Sequence, residues 1–286
     1  MTAPEIPRRI AGAQFDPALG DVPRNLAAIV KHIRVAAEDE AKLVVFPECA
    51  LTGYGFSSRE EALPFAEAYD GPSARVIASV CGELGVWAVY GFLESDGPAL
   101  YNACNLVGPG GPVASYRKIH LPFLGVDRFV DPGDRPFAVH DAGGIKVGMH
   151  ICYDGSFPES GRTLALLGAD LLVLPTNWPT HSECAARHMI ATRAMENTVY
   201  AMAVNRTGEE RGFRFIGSSS IAAPTGEVIA SATADDEVVL YADIDLAVAR
   251  RKHLVRVPGL HEVDRFADRR PAFYGTIVAE KPDLAR

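Results

Sequence analysis

The chain has 286 residues, 48% of them hydrophobic, enough to bury a large core in one domain or two. Its 36 acidic against 28 basic residues leave a formal net charge of −8, which argues against a nucleic-acid or anionic-membrane surface and favours a small-molecule substrate. Cysteines at 49, 81, 104, 152 and 184 are odd in number and widely spaced, no signal-peptide core stands near the N-terminus, and no run reaches about 18 apolar residues; a reduced, cytoplasmic protein is expected.

Ile10 to Phe15 reads as a buried strand, and Val22 to Glu40 as a helix with Leu26, Ile29, Val30, Ile33 and Ala37 along one face. Leu43 to Phe46 reads as a strand, Ser73 to Leu84 as a helix and Val86 to Phe92 as a strand, so β and α alternate through the first third. That alternation favours an α/β sheet covered by helices. Closely spaced strands follow, Ala103 to Val107 and Val113 to Tyr116, joined by Gly108-Pro109-Gly110-Gly111-Pro112 as an antiparallel hairpin. Ile145 to Ile151 is the next strand. Alternation resumes with strand Leu171 to Leu174, helix Ala185 to Glu196, and strands Val199 to Val204, Ser218 to Ala222, Val228 to Ala230 and Val238 to Asp243. No linker divides the chain, so residues 1–286 read as one domain. From about His253 the charges are dense and no periodic apolar face is visible, as in an extension that is mobile or docks on a partner subunit.

Three strand-to-polar junctions carry chemistry: Leu43-Val44-Val45-Phe46-Pro47-Glu48, Val113-Ala114-Ser115-Tyr116-Arg117-Lys118, and the apolar run ending at Cys152 before Tyr153-Asp154-Gly155. Each has an inert reading alone. A free Cys behaves as a small hydrophobe, Glu48 as a solvated loop carboxylate, and Lys118 as part of a surface cluster with Arg117 and His120. Together they supply what amide hydrolysis needs: a nucleophile, a group that removes and returns protons, and positive charge for the oxyanion. Glu48 would take the Cys152 proton, pass it to the leaving amine and then activate water. Lys118 would share the oxyanion with the backbone N–H just after Cys152.

These motifs resemble those of the nitrilase, or carbon–nitrogen hydrolase, superfamily over nearly the whole chain. They stand as Phe46-Pro47-Glu48 with Thr52-Gly53-Tyr54, Tyr116-Arg117-Lys118-Ile119-His120-Leu121-Pro122, and Gly148-Met149-His150-Ile151-Cys152-Tyr153-Asp154 with Phe157-Pro158-Glu159. The resemblance implies a four-layer αββα sandwich, a cofactor-free Glu48-Lys118-Cys152 triad, and assembly into homodimers or higher homo-oligomers. Members often carry a second glutamate in the loop after the lysine. Here Leu124 to Phe129 offers only Asp127, which is the candidate for that place against a plain pairing with Arg128.

Within the resemblance, Tyr153-Asp154 after the cysteine looks like the amidase and carbamoylase branches, where true nitrilases usually show Trp-Glu. Hydrolysis of a small linear amide is therefore favoured, with an N-carbamoyl substrate, a nitrile, or a non-catalytic binding protein on the same fold as alternatives. Tyr54, Tyr153, Asn177 and Trp178 are the further candidates for contact with substrate. Arg187, His188 and Arg193 would be needed only for a charged substrate and otherwise read as a solvated helix face. A metal site built on His140, His150 and Cys152 lacks paired ligand spacing, and no histidine stands in a cysteine-protease context.

Overall fold

The computed structural model describes residues 8–233 and 235–279. The first half runs β1 (Arg8–Gln14), α1 (Val22–Glu38), β2 (Leu43–Val45), α2 (Arg59–Ala62), α3 (Pro72–Leu84), β3 (Trp87–Asp96), β4 (Ala99–Gly108) and β5 (Gly111–Arg117). The second runs β6 (Val139–Ala142), β7 (Ile145–Met149), α4 (Pro158–Leu166), β8 (Leu171–Thr176), α5 (Glu183–Asn197), β9 (Tyr200–Asn205), β10 (Glu209–Glu210), β11 (Phe213–Arg214), β12 (Ser220–Ala222), β13 (Val228–Ser231), β14 (Val238–Ile244) and α6 (Leu246–Arg250). The described residues up to 250 form one compact unit and those from 251 a second, smaller one.

In the larger unit two six-stranded sheets form, ordered β14-β1-β2-β3-β4-β5 and β13-β12-β9-β8-β7-β6. The central strands β1, β2 and β3 are mutually parallel, as are β7, β8 and β9, while the flanking pairs are antiparallel. Helices α1 and α3 cover the first sheet and α4 and α5 the second. The inner faces meet closely where β1 crosses β9: a Cβ at Gly12 would lie 2.9 Å from Val204 Cγ2. This is the αββα layering expected from the motifs.

Local sequence explains the elements. Asp21 caps α1 by accepting from the Arg24 N–H at 3.1 Å, and Ile29 and Ile33 are fully buried beneath it. Pro72 opens α3, and Gly85, at φ 66°, closes it in the left-handed conformation. Strands β3 and β4 are longer than the apolar runs suggest, because each continues through polar residues whose side chains are held by partners, Glu94 on β3 by Arg117 and Asn102 on β4 by Glu48. Helices α2, α4 and α6, strand β6 and the β10-β11 ladder escaped the pattern. Their apolar runs are too brief for periodicity to register.

The smaller unit contains a hairpin: β15 (His253–Val257) and β16 (His261–Asp264) pair antiparallel. Its strands are mostly exposed, so alternation of apolar and polar residues is weak and no buried face marks it in sequence.

Candidate active site

The carboxyl ends of parallel strands in the two sheets carry Glu48 and Cys152, the usual place for a ligand site in α/β folds. Glu48 follows β2 in a turn folded over β3. The turn fits because position 91 has no side chain: a Cβ there would stand 2.3 Å from the Cys49 nitrogen and 2.5 Å from the Pro47 carbonyl. Lys118 continues β5, its N–H donating to the Asn102 carbonyl on β4 at 2.8 Å. Cys152 lies three residues past β7 at φ 45°, a strained conformation for a non-glycine residue and a mark of functional turns.

Glu48, Lys118, Asn102 and Asp127 are each no more than 3% exposed and form one network. The Lys118 Nζ donates to Glu48 Oε1 at 2.7 Å and to Asp127 Oδ2 at 2.6 Å. Asn102 Nδ2 donates to the same Glu48 oxygen and to Asp127 Oδ1, both at 2.7 Å. Tyr54 Oη donates to Asp127 Oδ2 at 2.8 Å, and the Tyr54 ring sits against Gly125, where a Cβ would lie 2.2 Å from it. Asp127 is thus bound into the lysine network and not to Arg128, whose Nε donates to the Gly125 carbonyl. The remaining Glu48 oxygen, Oε2, is buried with no hydrogen-bond partner in the protein.

Electrostatics follow from burial. Removal from water pushes the Glu48 carboxyl above its ordinary range; Lys118 opposes this and Asp127 adds to it. Burial alone would discharge Lys118, but Asp127 and Glu48 hold the ammonium well above the ordinary lysine value. Burial first, then the Glu48 charge, lift the Cys152 thiol to about 12, against the opposing pull of Lys118, the Thr176 hydroxyl and the Asn177 N–H. At neutral pH the thiol keeps its proton and needs a base to become a nucleophile.

The turn bearing Cys152 is braced from behind by Asp154. That carboxylate accepts from Tyr116 Oη at 2.7 Å, the Ile151 N–H at 2.9 Å and the His120 N–H at 3.0 Å, with His120 Nδ1 at 2.7 Å. Despite its burial these partners hold it below the ordinary aspartate range. His120 in turn stacks on Phe157 with ring centroids 3.7 Å apart.

The candidate contact residues separate. Asn177, just past β8, is fully buried beside Cys152, and neither polar atom of its side-chain amide has a partner in the protein. Trp178 is buried and pinned through its backbone N–H to Asn205 Oδ1 at 2.8 Å. Tyr153 is exposed, edge-on to Phe157, at the rim. Arg193 donates to the Gly155 carbonyl and to Glu196, and Arg187 lines a separate cavity of about 310 Å³ with Glu183 and Ser218. Arg193 is therefore committed to these partners, and the cavity that Arg187 lines includes neither Glu48 nor Cys152. His150 is buried against Ser160 Oγ at 3.0 Å, and among the described residues no cluster of His, Cys, Asp and Glu is placed to hold a metal ion. All five cysteines are free thiols.

Sequence reasoning missed Asn102 and Asp154 as structural members of the site. A lone signal existed for the first: an asparagine inside an otherwise apolar strand, Leu100-Tyr101-Asn102-Ala103, must find partners when buried.

Comparison with known proteins bears on this geometry. The carbon-nitrogen hydrolase family model matches residues 9–253. A protein of Pyrococcus abyssi named nitrilase is 41% identical over 93% of this chain and 98% of its own length. The omega-amidase of Homo sapiens is 34% identical over 78% of this chain and 83% of its own. Among solved structures, an amidase from Nesterenkonia sp. superposes with a TM-score of 0.78 at 24% identity, covering 94% of this chain and 96% of that one. A variant of that amidase in complex with butyramide matches with a TM-score of 0.74 at 25% identity, over 85% of this chain and 93% of that one. The motifs, the two-sheet fold and these likenesses agree that the chain belongs to the carbon–nitrogen hydrolase family and is a hydrolase of that kind.

Proposed function

We propose that the protein hydrolyses a small linear amide through a thioester on Cys152, with Glu48 as base and acid and Lys118 as electrostatic partner. The observation that carries this is the pairing of a protonated, buried thiol with a buried carboxylate whose Oε2 is unpartnered. Glu48 removes the thiol proton as sulfur bonds to the carbonyl carbon. The oxyanion is met by Lys118 and the Tyr153 backbone N–H. The C–N bond then breaks, the amine leaves with the proton held by Glu48, and a water deprotonated by Glu48 cleaves the thioester to the acid. Asp127 takes the place of the family's second glutamate, holding Lys118 and Tyr54. Asn177 offers its unpaired amide to the substrate.

Support for an amide comes from the butyramide complex of the Nesterenkonia amidase variant. A nitrile is the second reading, favoured by the name of the Pyrococcus relative; the same thiol would then add to the nitrile carbon. An ammonia-release screen over aliphatic amides, omega-amides, N-carbamoyl compounds and nitriles separates these. Cys152→Ala should lose turnover with the fold kept, and appreciable residual hydrolysis would refute nucleophilic catalysis by this thiol. We further propose a cytoplasmic homodimer or larger assembly of a single domain, with the extension docked on a partner copy. Leu260, Phe273 and Val278, each more than 80% exposed, would then gain cover.

A further inference from the structure

Asn102 belongs to none of the motifs, yet besides Lys118 it is the side chain that contacts both Glu48 and Asp127. We propose that Asn102 is a positioning residue for the base, one amide nitrogen tying the two carboxylates so that Glu48 presents Oε2 to the thiol. The inference rests on Glu48 being the base.

The orientation of the amide is fixed by chemistry. Ionised carboxylates only accept hydrogen bonds, so Nδ2 must face them and divides its two hydrogens, one to each. Oδ1 is turned the other way and accepts from the Cys49 thiol at 3.6 Å. The backbone is equally constrained. Asn102 pairs with Leu93 on β3, and its carbonyl accepts the Lys118 N–H at 2.8 Å, so Asn102 and Lys118 are neighbours across two strands. At 1% exposure the amide is out of contact with bulk solvent.

Two carboxylates and one ammonium leave this dry cluster one negative charge in excess. A second cation would relieve the repulsion but would also weaken the base. A neutral double donor stabilises both carboxylates and lowers the basicity of Glu48 less than a full charge would. It also occupies Oε1 together with Lys118, so the carboxylate cannot turn and Oε2 stays unpartnered. The donation favours ionised Glu48 while burial opposes it.

The test is the pH profile of kcat/KM for Asn102→Leu, which keeps the branched shape without donors, and Asn102→Ser, which keeps one. Loss of hydrogen bonds to a charged group should move the acid limb of the carboxylate pair upward by about one to two pH units. It should also lower kcat/KM by about 10²-fold. KM should change little, and the serine variant should fall between the leucine variant and the wild type. A residue that merely supports the fold would lower activity without moving the limb; an unmoved limb in folded variants overturns the proposal. Should the leucine variant fail to fold, the serine profile decides. Glu48→Gln, measured alongside, separates the failures. If it keeps wild-type turnover, the base assignment falls and this inference with it; if it is inactive while the Asn102 limb is unmoved, only this inference falls.

Discussion

Glu48→Gln is the sharpest perturbation because the structure says that it removes chemistry without removing contacts. The glutamine carbonyl can keep both donors of Oε1, Lys118 at 2.7 Å and Asn102 at 2.7 Å, and the new NH2 replaces an oxygen that had no partner. What disappears is one negative charge and the base. General acid–base catalysis is worth about 10² to 10⁴-fold, and Glu48 acts in both half-reactions, so ammonia release should fall by about 10³-fold or more. Stability should move the other way. The folded carboxyl sits above its ordinary range, so the bound proton's contribution to stability is present at low pH and lost as pH rises through the folded value. At pH 8 the ionised group therefore burdens the fold. Replacing it should raise Tm at pH 8, and the gain should shrink as pH falls toward about 4, the ordinary carboxylate range. The Glu48 charge also lifts the Cys152 thiol, so its removal should shift alkylation by acrylamide to lower pH, read by intact mass. Turnover within tenfold of wild type, or a Tm lowered at pH 8, would refute the reasoning.

Two further outcomes test the supports of the site. Glu210 is buried and accepts from the Tyr54 N–H at 2.9 Å, the Gly55 N–H at 2.5 Å and Arg206 at 2.9 Å, so it pins the loop that brings Tyr54 to Asp127. Glu210→Ala strands buried donors and should cost about 3 kcal/mol in urea unfolding; a loss under about 1 kcal/mol would show that the loop is held otherwise. His150 is held neutral by burial, its pKa lowered from 6.5 to about 4, so its contribution is complete above pH 6.5 and lost as pH falls toward 4. Between pH 7 and pH 5 the protein should lose about 2 kcal/mol through this group. His150→Phe should flatten that part of the curve, and an unchanged slope would exclude His150 as its source.

The sequence alone determined much of this protein. Helices α1 and α3 were legible because their apolar faces recur at 3.6 residues, and the central strands because they are buried on both sides and read as continuous apolar runs. Glu48, Lys118 and Cys152 stood out because each polar group interrupts such a run, and the motifs around them carried the family and the layered fold. Only tertiary structure decided what those groups touch. Asp127 turned from loop carboxylate to lysine partner because Gly125 lets Tyr54 pack over its loop, a contact across 71 residues that no spacing encodes. Asn102 became the link between two carboxylates because β4 lies beside β5 in a particular register. Arg193, plausible as a ligand from its place on a helix, was claimed by the carbonyl of Gly155. Periodicity reports which face of an element is buried; which buried polar atoms meet is settled by strand register and loop closure, and those are properties of the folded chain.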